Sequence, residues 1–175
     1  MNKINNSYMN EKLFLRKKFF SNWDSVLDCF AWEWHMRKRA RDSWNCKYLG
    51  IDKKDYWKHN ILTWDNMKLL KSMELSSFDI IDLDAYWSPF PQIDILEKKK
   101  FHWKVFITFI QTMKGWLHNW MLERIWYRKD MIKKCRSLFA KDSIWKLERY
   151  LYEIWIKKIY KVSPESRKHY IYFNM

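Results

Sequence analysis

Acidic residues close a series of short apolar runs in this 175-residue chain. Asp52 follows Leu49-Gly50-Ile51, Asp65 stands just beyond Ile61-Leu62-Thr63, and Asp82 and Asp84 end Ile80-Ile81-Asp82-Leu83-Asp84, while Asp28 lies within Val26-Leu27-Asp28-Cys29-Phe30. A carboxylate only accepts hydrogen bonds, so acids in such places suit the hydroxyl and amine donors of a polar ligand. One strand-end aspartate is usually a turn former or helix cap. Several, after successive strands, are less easily explained that way. Tyr86, just behind Asp84, adds a ring that can stack on a planar group. The five histidines, His35, His59, His102, His118 and His169, show neither HxxxH nor HExxH spacing, and Cys29, Cys46 and Cys135 form no CxxC pair. No metal site and no disulfide framework is expected.

Elements able to hold these acids in place alternate along the chain. Strands are expected at residues 26–30, 47–52, 60–63, 78–84 and 104–109, and helices at 33–41 and 67–73. A long helical region should cover 118–139 and another 143–154. Two late strands, 156–162 and 170–173, flank the turn-rich Ser163-Pro164-Glu165-Ser166. Strand–helix alternation means an α/β fold with a mostly parallel sheet. The late pair, joined by so short a connection, can only be an antiparallel hairpin at the sheet edge. Residues 1–22 read as a basic amphipathic helical extension beside or over the active site, and 23–175 as a single domain. In such a sheet ligands bind beyond the carboxyl ends of the strands, at the topological switch point. That is where the acids stand.

The formal charge is +14, from 34 Lys+Arg against 20 Asp+Glu. Such a balance favours an anionic partner, with nucleic acid the commonest. Arg37, Lys38, Arg39 and Arg41 form one basic set; Arg124, Arg128, Lys129, Lys133 and Lys134 belong to another. Either could be a solvated helix face or a phosphate-binding rim. No apolar run approaches membrane-spanning length, and no secretory h-region with a small-residue cleavage site is visible, so a soluble cytoplasmic protein without membrane partners is expected.

The chain holds 13 Trp and only 2 Gly. Glycine normally makes up about 7% of a protein, and turns that need φ > 0 depend on it. The tryptophans sit where those turns belong. Trp126 and Trp155 end helical stretches at the position glycine usually takes, Trp23 and Trp103 precede apolar strands, and Trp64 adjoins Asp65-Asn66. Trp44-Asn45 and Gly115-Trp116 look like loop glycines too. Tryptophan placed for packing should follow periods of 2 or 3.6. We therefore read these positions as glycine, encoded by UGA and rendered as tryptophan under a different codon table.

After the first strand stands Phe30-Ala31-Trp32-Glu33-Trp34; with glycine at 32 and 34 it becomes F-A-G-E-G behind V-L-D-C. This resembles motif I of class I S-adenosylmethionine-dependent methyltransferases, in which small residues let the backbone approach the cofactor. Residues 78–91, FDIIDLDAYWSPFP, with glycine at 87 resemble motif IV of the tRNA guanine N2-dimethyltransferases, an I-D-x-D-P-[FY]-G-S-P pattern. Ala85 departs from it by replacing the proline.

The resemblance, over about residues 24–111, implies S-adenosylmethionine as cofactor. Asp28, Phe30, Ala31, Trp32, Glu33 and Trp34 would surround it, and Asp52 would accept from its ribose hydroxyls. Asp65 and Asn66 would lie at its adenine, and Asp82 nearby. Asp84 would orient an exocyclic amine of a nucleic-acid base and Tyr86 would stack on it, with RNA favoured over DNA. The known dimethyltransferases are longer and carry an additional C-terminal domain. Two further readings stay open: a non-catalytic nucleic-acid-binding protein with a degenerate methyltransferase fold, and a tryptophan-rich structural protein.

Overall fold

A computed structural model describes residues 8–31, 45–54, 61–85, 89–110, 119–135, 143–165 and 168–175. The expected helix at 33–41 lies outside them, as do Trp44 and Gly115-Trp116.

Helix α1 (Met9–Phe19) leads into strands β1 (Ser25–Asp28), β2 (Lys47–Asp52) and β3 (Ile61–Thr63), then helix α2 (Asn66–Ser72). Strand β4 (Ile80–Leu83), helix α3 (Phe90–Lys98) and strand β5 (Lys104–Ile110) follow. Helices α4 (Asn119–Arg124), α5 (Lys129–Lys134) and α6 (Ser143–Glu153) precede the hairpin of β6 (Ile159–Glu165) and β7 (Lys168–Asn174). The 7-stranded sheet has the order β3-β2-β1-β4-β5-β7-β6. β1 to β5 pair in parallel, whereas β7 runs antiparallel to both β5 and β6.

Side-chain alternation along the strands divides the core into two. Leu27, Ile81, Leu83, Val105, Ile107, Ile171 and Phe173 face the helices α2, α3, α4 and α6, which contribute Leu70, Phe90, Ile93, Leu96, Leu122, Leu147 and Tyr150. Val26, Ile80, Phe106, Tyr170 and Tyr172 face the other way and are covered by Leu15 and Phe20 from α1 and its C-cap. On α6 the buried positions Ser143, Lys146, Leu147, Tyr150 and Leu151 follow the 3.6-residue period.

Several boundaries differ from the sequence reading, each for a local reason. The first strand stops at Asp28, because Cys29 and Phe30 already turn away over the strand tips. The 118–139 region is broken at Trp126, where φ is +76° and the helix ends in a Schellman motif: Trp126 N–H donates to Glu123 O and Tyr127 N–H to Leu122 O, both at 3.0 Å. The same motif at Trp155 (φ +70°) delays the next strand to Ile159. Helix α3 was not anticipated; Pro91 in its first turn, where no N–H is needed, conceals a helix behind a residue usually read as a breaker. Ser163-Pro164-Glu165 belongs to β6, which absorbs it through a register shift between Val162 and Glu165, so the hairpin connection is shorter than expected.

Every tryptophan among the described residues is exposed, from 38% at Trp120 to 83% at Trp155. Tryptophan is among the more buried residues on average, so this exposure is out of character, although Trp120 sets its ring edge-on against the buried Tyr150 at 5.9 Å between centroids. Of the five non-glycine residues with positive φ, Trp23, Asn45, Lys100, Trp126 and Trp155, three are tryptophan. These are places where a bare backbone is the relaxed choice.

Candidate functional site

The chain moves outward from β1 to β3 and then returns to place β4 on the other side of β1, so the switch point lies between β1 and β4. Asp28 and Asp82 are paired there in register, at the carboxyl ends of adjacent strands. The turn after β1 is drawn back over the sheet: Phe30 N–H donates to Asp28 Oδ1 at 3.0 Å, and Ala31 N–H donates to Ile51 O at 2.9 Å. Gly50, beneath that turn, is required by space. A Cβ at position 50 would come within 2.6 Å of the Ala31 Cβ and 3.2 Å of Ile61. Gly50→Ala is therefore expected to lower stability by about 1–3 kcal/mol, as overpacking does. An unchanged urea midpoint would show that the β1 turn runs elsewhere.

Asp52, half-buried at the end of β2, holds its own turn by accepting from Lys54 N–H at 2.9 Å. Asp65 caps α2, accepting from Lys68 N–H at 3.1 Å, and pairs with Lys53 at 3.2 Å. The Lys68 amide above all, with Lys53, holds its carboxyl below the usual range. Asn66 is buried and turned inward: its Nδ2 donates to Cys29 O at 2.9 Å, tying the start of α2 to the β1 turn. Trp32, Glu33, Trp34 and Tyr86 lie outside the described residues. The structure thus brings Asp28, Phe30, Ala31, Asn66, Asp82 and Asp84 together around the β1 and β4 tips, with Asp52 one strand out and Asp65 beyond β3.

Beneath this rim, between the sheet and α1, lies a buried polar cluster that the sequence reading did not foresee. Arg16 is 1% exposed and grips Asp82 with both arms, Nε to Oδ2 at 2.8 Å and Nη2 to Oδ1 at 2.7 Å. One turn earlier, Lys12 donates to Asp84 Oδ2, and Thr108 Oγ1 from β5 donates to Asp84 Oδ1 at 2.5 Å. Tyr48 from β2 donates its hydroxyl to Asp28. Burial, then the nearby Asp82 charge, pushes the Asp28 carboxyl up to about 6. Burial and the neighbouring Arg16 bring the Lys12 ammonium down to about 7. The signal for this cluster was present in α1: Lys12, Leu15 and Arg16 share the i, i+3, i+4 face that turns inward. Bases on the buried side of a helix require acids opposite.

Among the described residues no group of His, Cys, Asp and Glu is arranged to hold a metal ion, and no helix is long and apolar enough to cross a membrane.

No family model matches the sequence, and no curated protein matches it either. Solved structures do match in shape. A SAM-dependent methyltransferase from Archaeoglobus fulgidus superposes with a TM-score of 0.60 at 13% identity, over 99% of this chain and 96% of that one. A Clostridium thermocellum protein named as an rRNA-methylase gives 0.54 at 12% identity, over 99% and 97%. The Haemonchus contortus phosphoethanolamine N-methyltransferase 2, in complex with S-adenosyl-L-methionine, gives 0.53 at 12% identity; 94% of this chain spans about half, 51%, of that longer one. In fold, the chain is a Rossmann-like class I methyltransferase sheet, mostly parallel, with an antiparallel C-terminal strand pair.

Proposed function

We propose that this chain is an S-adenosylmethionine-dependent methyltransferase acting on an exocyclic amine of a nucleic-acid base, in RNA rather than DNA, with guanine N2 of tRNA as the acceptor that motif IV suggests. The observation that carries this reading is the pairing of Asp28 with Asp82 at the switch point, with Asp84 just beyond and the β1 turn folded back over Gly50. Of these acids Asp28 and Asp82 are buried and held by Tyr48 and Arg16, while Asp84 keeps part of its side chain exposed at the strand tip.

Acceptors at the strand tips suit the hydroxyl and amine donors of the cofactor. Asp52 would take the ribose hydroxyls, Asp65 the adenine amine, and the main chain around Phe30 to Trp34 the methionine end. When bound, the cofactor supplies an electrophilic methyl carbon. The chain's own task is then orientation, since methyl transfer to an aromatic amine needs in-line placement more than a strong base. Asp84, fixed from two sides by Thr108 and Lys12, would hold the amine and offset positive charge developing on its nitrogen. Tyr86 would stack on the base, and the basic surface that underlies the +14 charge would hold the phosphates.

The proposal includes glycine at the tryptophan positions. Positive φ at Trp23, Trp126 and Trp155 supports it, and so do the exposed indoles. UGA at codons 32 and 34 of the gene is the expected finding; UGG at both would remove this part of the account.

The test of activity is transfer of labelled methyl from S-adenosylmethionine to bulk tRNA by the glycine-restored chain, read by nucleoside mass spectrometry. N2-methylated guanosine is expected, and Asp84→Asn should lower turnover by about 10²-fold or more, the scale for one preorganised polar group. RNA binding with no methyl transfer would favour the degenerate, non-catalytic reading, to which Ala85 in place of proline already points.

A further inference from the structure

On the α1 side of the sheet, cations rest on aromatic rings along the outer edge. β6 is the last strand of the sheet, and α1 lies across β7 and β6. Tyr160 on β6 is 43% exposed, and its ring packs 4.8 Å from that of Phe19 at the end of α1. The Lys18 ammonium stands over it, 5.0 Å from the ring centre. One turn before Lys18 on the helix, Phe14 is 61% exposed. Towards the rim, Lys168 at the start of β7 stands over Tyr8 and Tyr170, 5.6 and 5.5 Å from their ring centres. Lys168 pairs with Ile110 on β5, two residues past the Thr108 that holds Asp84. Rings and cations thus form a band that climbs from the C-terminal end of α1 to the strand tips.

The charge on this band is unbalanced. Lys17, Lys18, Lys157 and Lys158 are exposed, and among the described residues no carboxylate pairs with any of them. Lys157 and Lys158 lead into β6 and lie within about 10 Å of Tyr160 along an extended chain. Lysines elsewhere are neutralised. Lys161, on the other side of β6, meets Glu148 of α6 at 2.5 Å, and Lys98 and Lys104 meet acids at 2.7 and 2.9 Å.

We infer that this band docks single-stranded RNA, with bases stacked on Phe14 and Tyr160 and phosphates held by Lys17, Lys18 and Lys158. Exposed rings interleaved with unpaired cations suit a chain of bases and phosphates whatever its sequence. A duplex keeps its bases inside and offers these rings no face. A cation resting on an exposed ring gains little there, so turning Lys18 to a phosphate and giving the ring to a base adds both contacts. A second copy of the chain fits less well, because Pro164 and Lys161 blunt β6 against strand addition and the like charges repel. None of these residues is tryptophan, so the band is the same with or without glycine restored. That the bound strand is led past Lys168 to Asp84 rests on the methyl-transfer reading above; the docking itself does not.

Fluorescence anisotropy of the full chain without cofactor tests this, using a labelled single-stranded RNA of about 12 nucleotides and the same RNA as a duplex. The single strand should bind more tightly. Phe14→Ala, a change at an exposed position, should weaken it about 5- to 150-fold, the loss of one stacked base, with the circular dichroism unchanged. Lys18→Gln should lower the slope of log affinity against log salt by about 0.7, one phosphate contact on a single strand. Lys133→Gln, on α5 at the opposite side of the sheet, should change neither quantity. RNA carrying 4-thiouridine should crosslink to peptides of α1 and β6, a readout of place that does not depend on any variant. Parental affinity in Phe14→Ala, equal binding of the duplex, or crosslinks confined to α4 and α5 would overturn the inference. So would Phe14→Ala losing capture by phosphatidylserine vesicles while RNA binding is unchanged, which would make the band a membrane surface. A restored chain that fails to bind S-adenosylmethionine would bring down the methyl-transfer reading and leave this docking surface standing.

Discussion

Replacing Trp23, Trp126 and Trp155 together by glycine is expected to raise the melting temperature by about 4–12 °C. A left-handed backbone costs an L-residue roughly 1–2 kcal/mol, and all three positions have φ between +70° and +76°. Glycine's greater freedom in the unfolded chain offsets roughly 0.5–1 kcal/mol of that at each site. The net gain is about 2–3 kcal/mol for the three, and each kcal/mol shifts the midpoint by about 2–4 °C in a domain of this size. The indoles contribute little against this, being 68%, 75% and 83% exposed. Trp126 Nε1 donates to Glu153 at 3.1 Å, but in solvent. Deleting a packed tryptophan ordinarily lowers stability by about 3–5 kcal/mol. The sign of the change is thus diagnostic. A lower melting temperature in circular dichroism would mean that the indoles are genuine structural residues.

Arg16→Ala is expected to cost about 3–5 kcal/mol, the penalty for leaving one member of a buried ion pair without its partner. Asp82 lies at the middle of the sheet, 2% exposed, and Arg16 satisfies both of its oxygens. A loss of that size is a large part of the roughly 5–15 kcal/mol that holds a domain together. The double variant Arg16→Met with Asp82→Leu should recover most of it, since a buried pair replaced by apolar residues of similar volume is often neutral. Urea denaturation of the two variants measures the coupling directly. If Arg16→Ala shifts stability by less than about 1 kcal/mol, on the scale of an exposed pair, then Arg16 does not grip a buried Asp82 as described.

The parallel sheet and its edge hairpin were legible because apolar runs ending in acids recur between helical stretches, and two late strands with a short connection can pair only one way. Asp52 and Asp84 could be placed at strand tips for the same reason, whereas Asp28 was read inside a strand that the structure ends at that residue. The turns at Trp126 and Trp155 were legible from a residue type out of keeping with its position. Helix α3 was hidden by Pro89 and Pro91, although a proline in a first turn is harmless. The cluster of Lys12, Arg16, Tyr48 and Thr108 escaped because its members come from α1, β2 and β5. Only the sheet order brings them to the acids of β1 and β4. Sequence spacing cannot report a contact between positions 16 and 82.

The central claim is that the rim over β1, β2 and β4 receives S-adenosylmethionine once its turns have bare backbone. Isothermal titration of the glycine-restored chain with S-adenosylmethionine tests it most directly. The account predicts a one-to-one isotherm that weakens by about tenfold or more in Asp52→Ala, the loss of roughly 1.4 kcal/mol or more for hydrogen bonds to a charged group. A restored chain that is folded by circular dichroism and yet releases no heat on titration would contradict it.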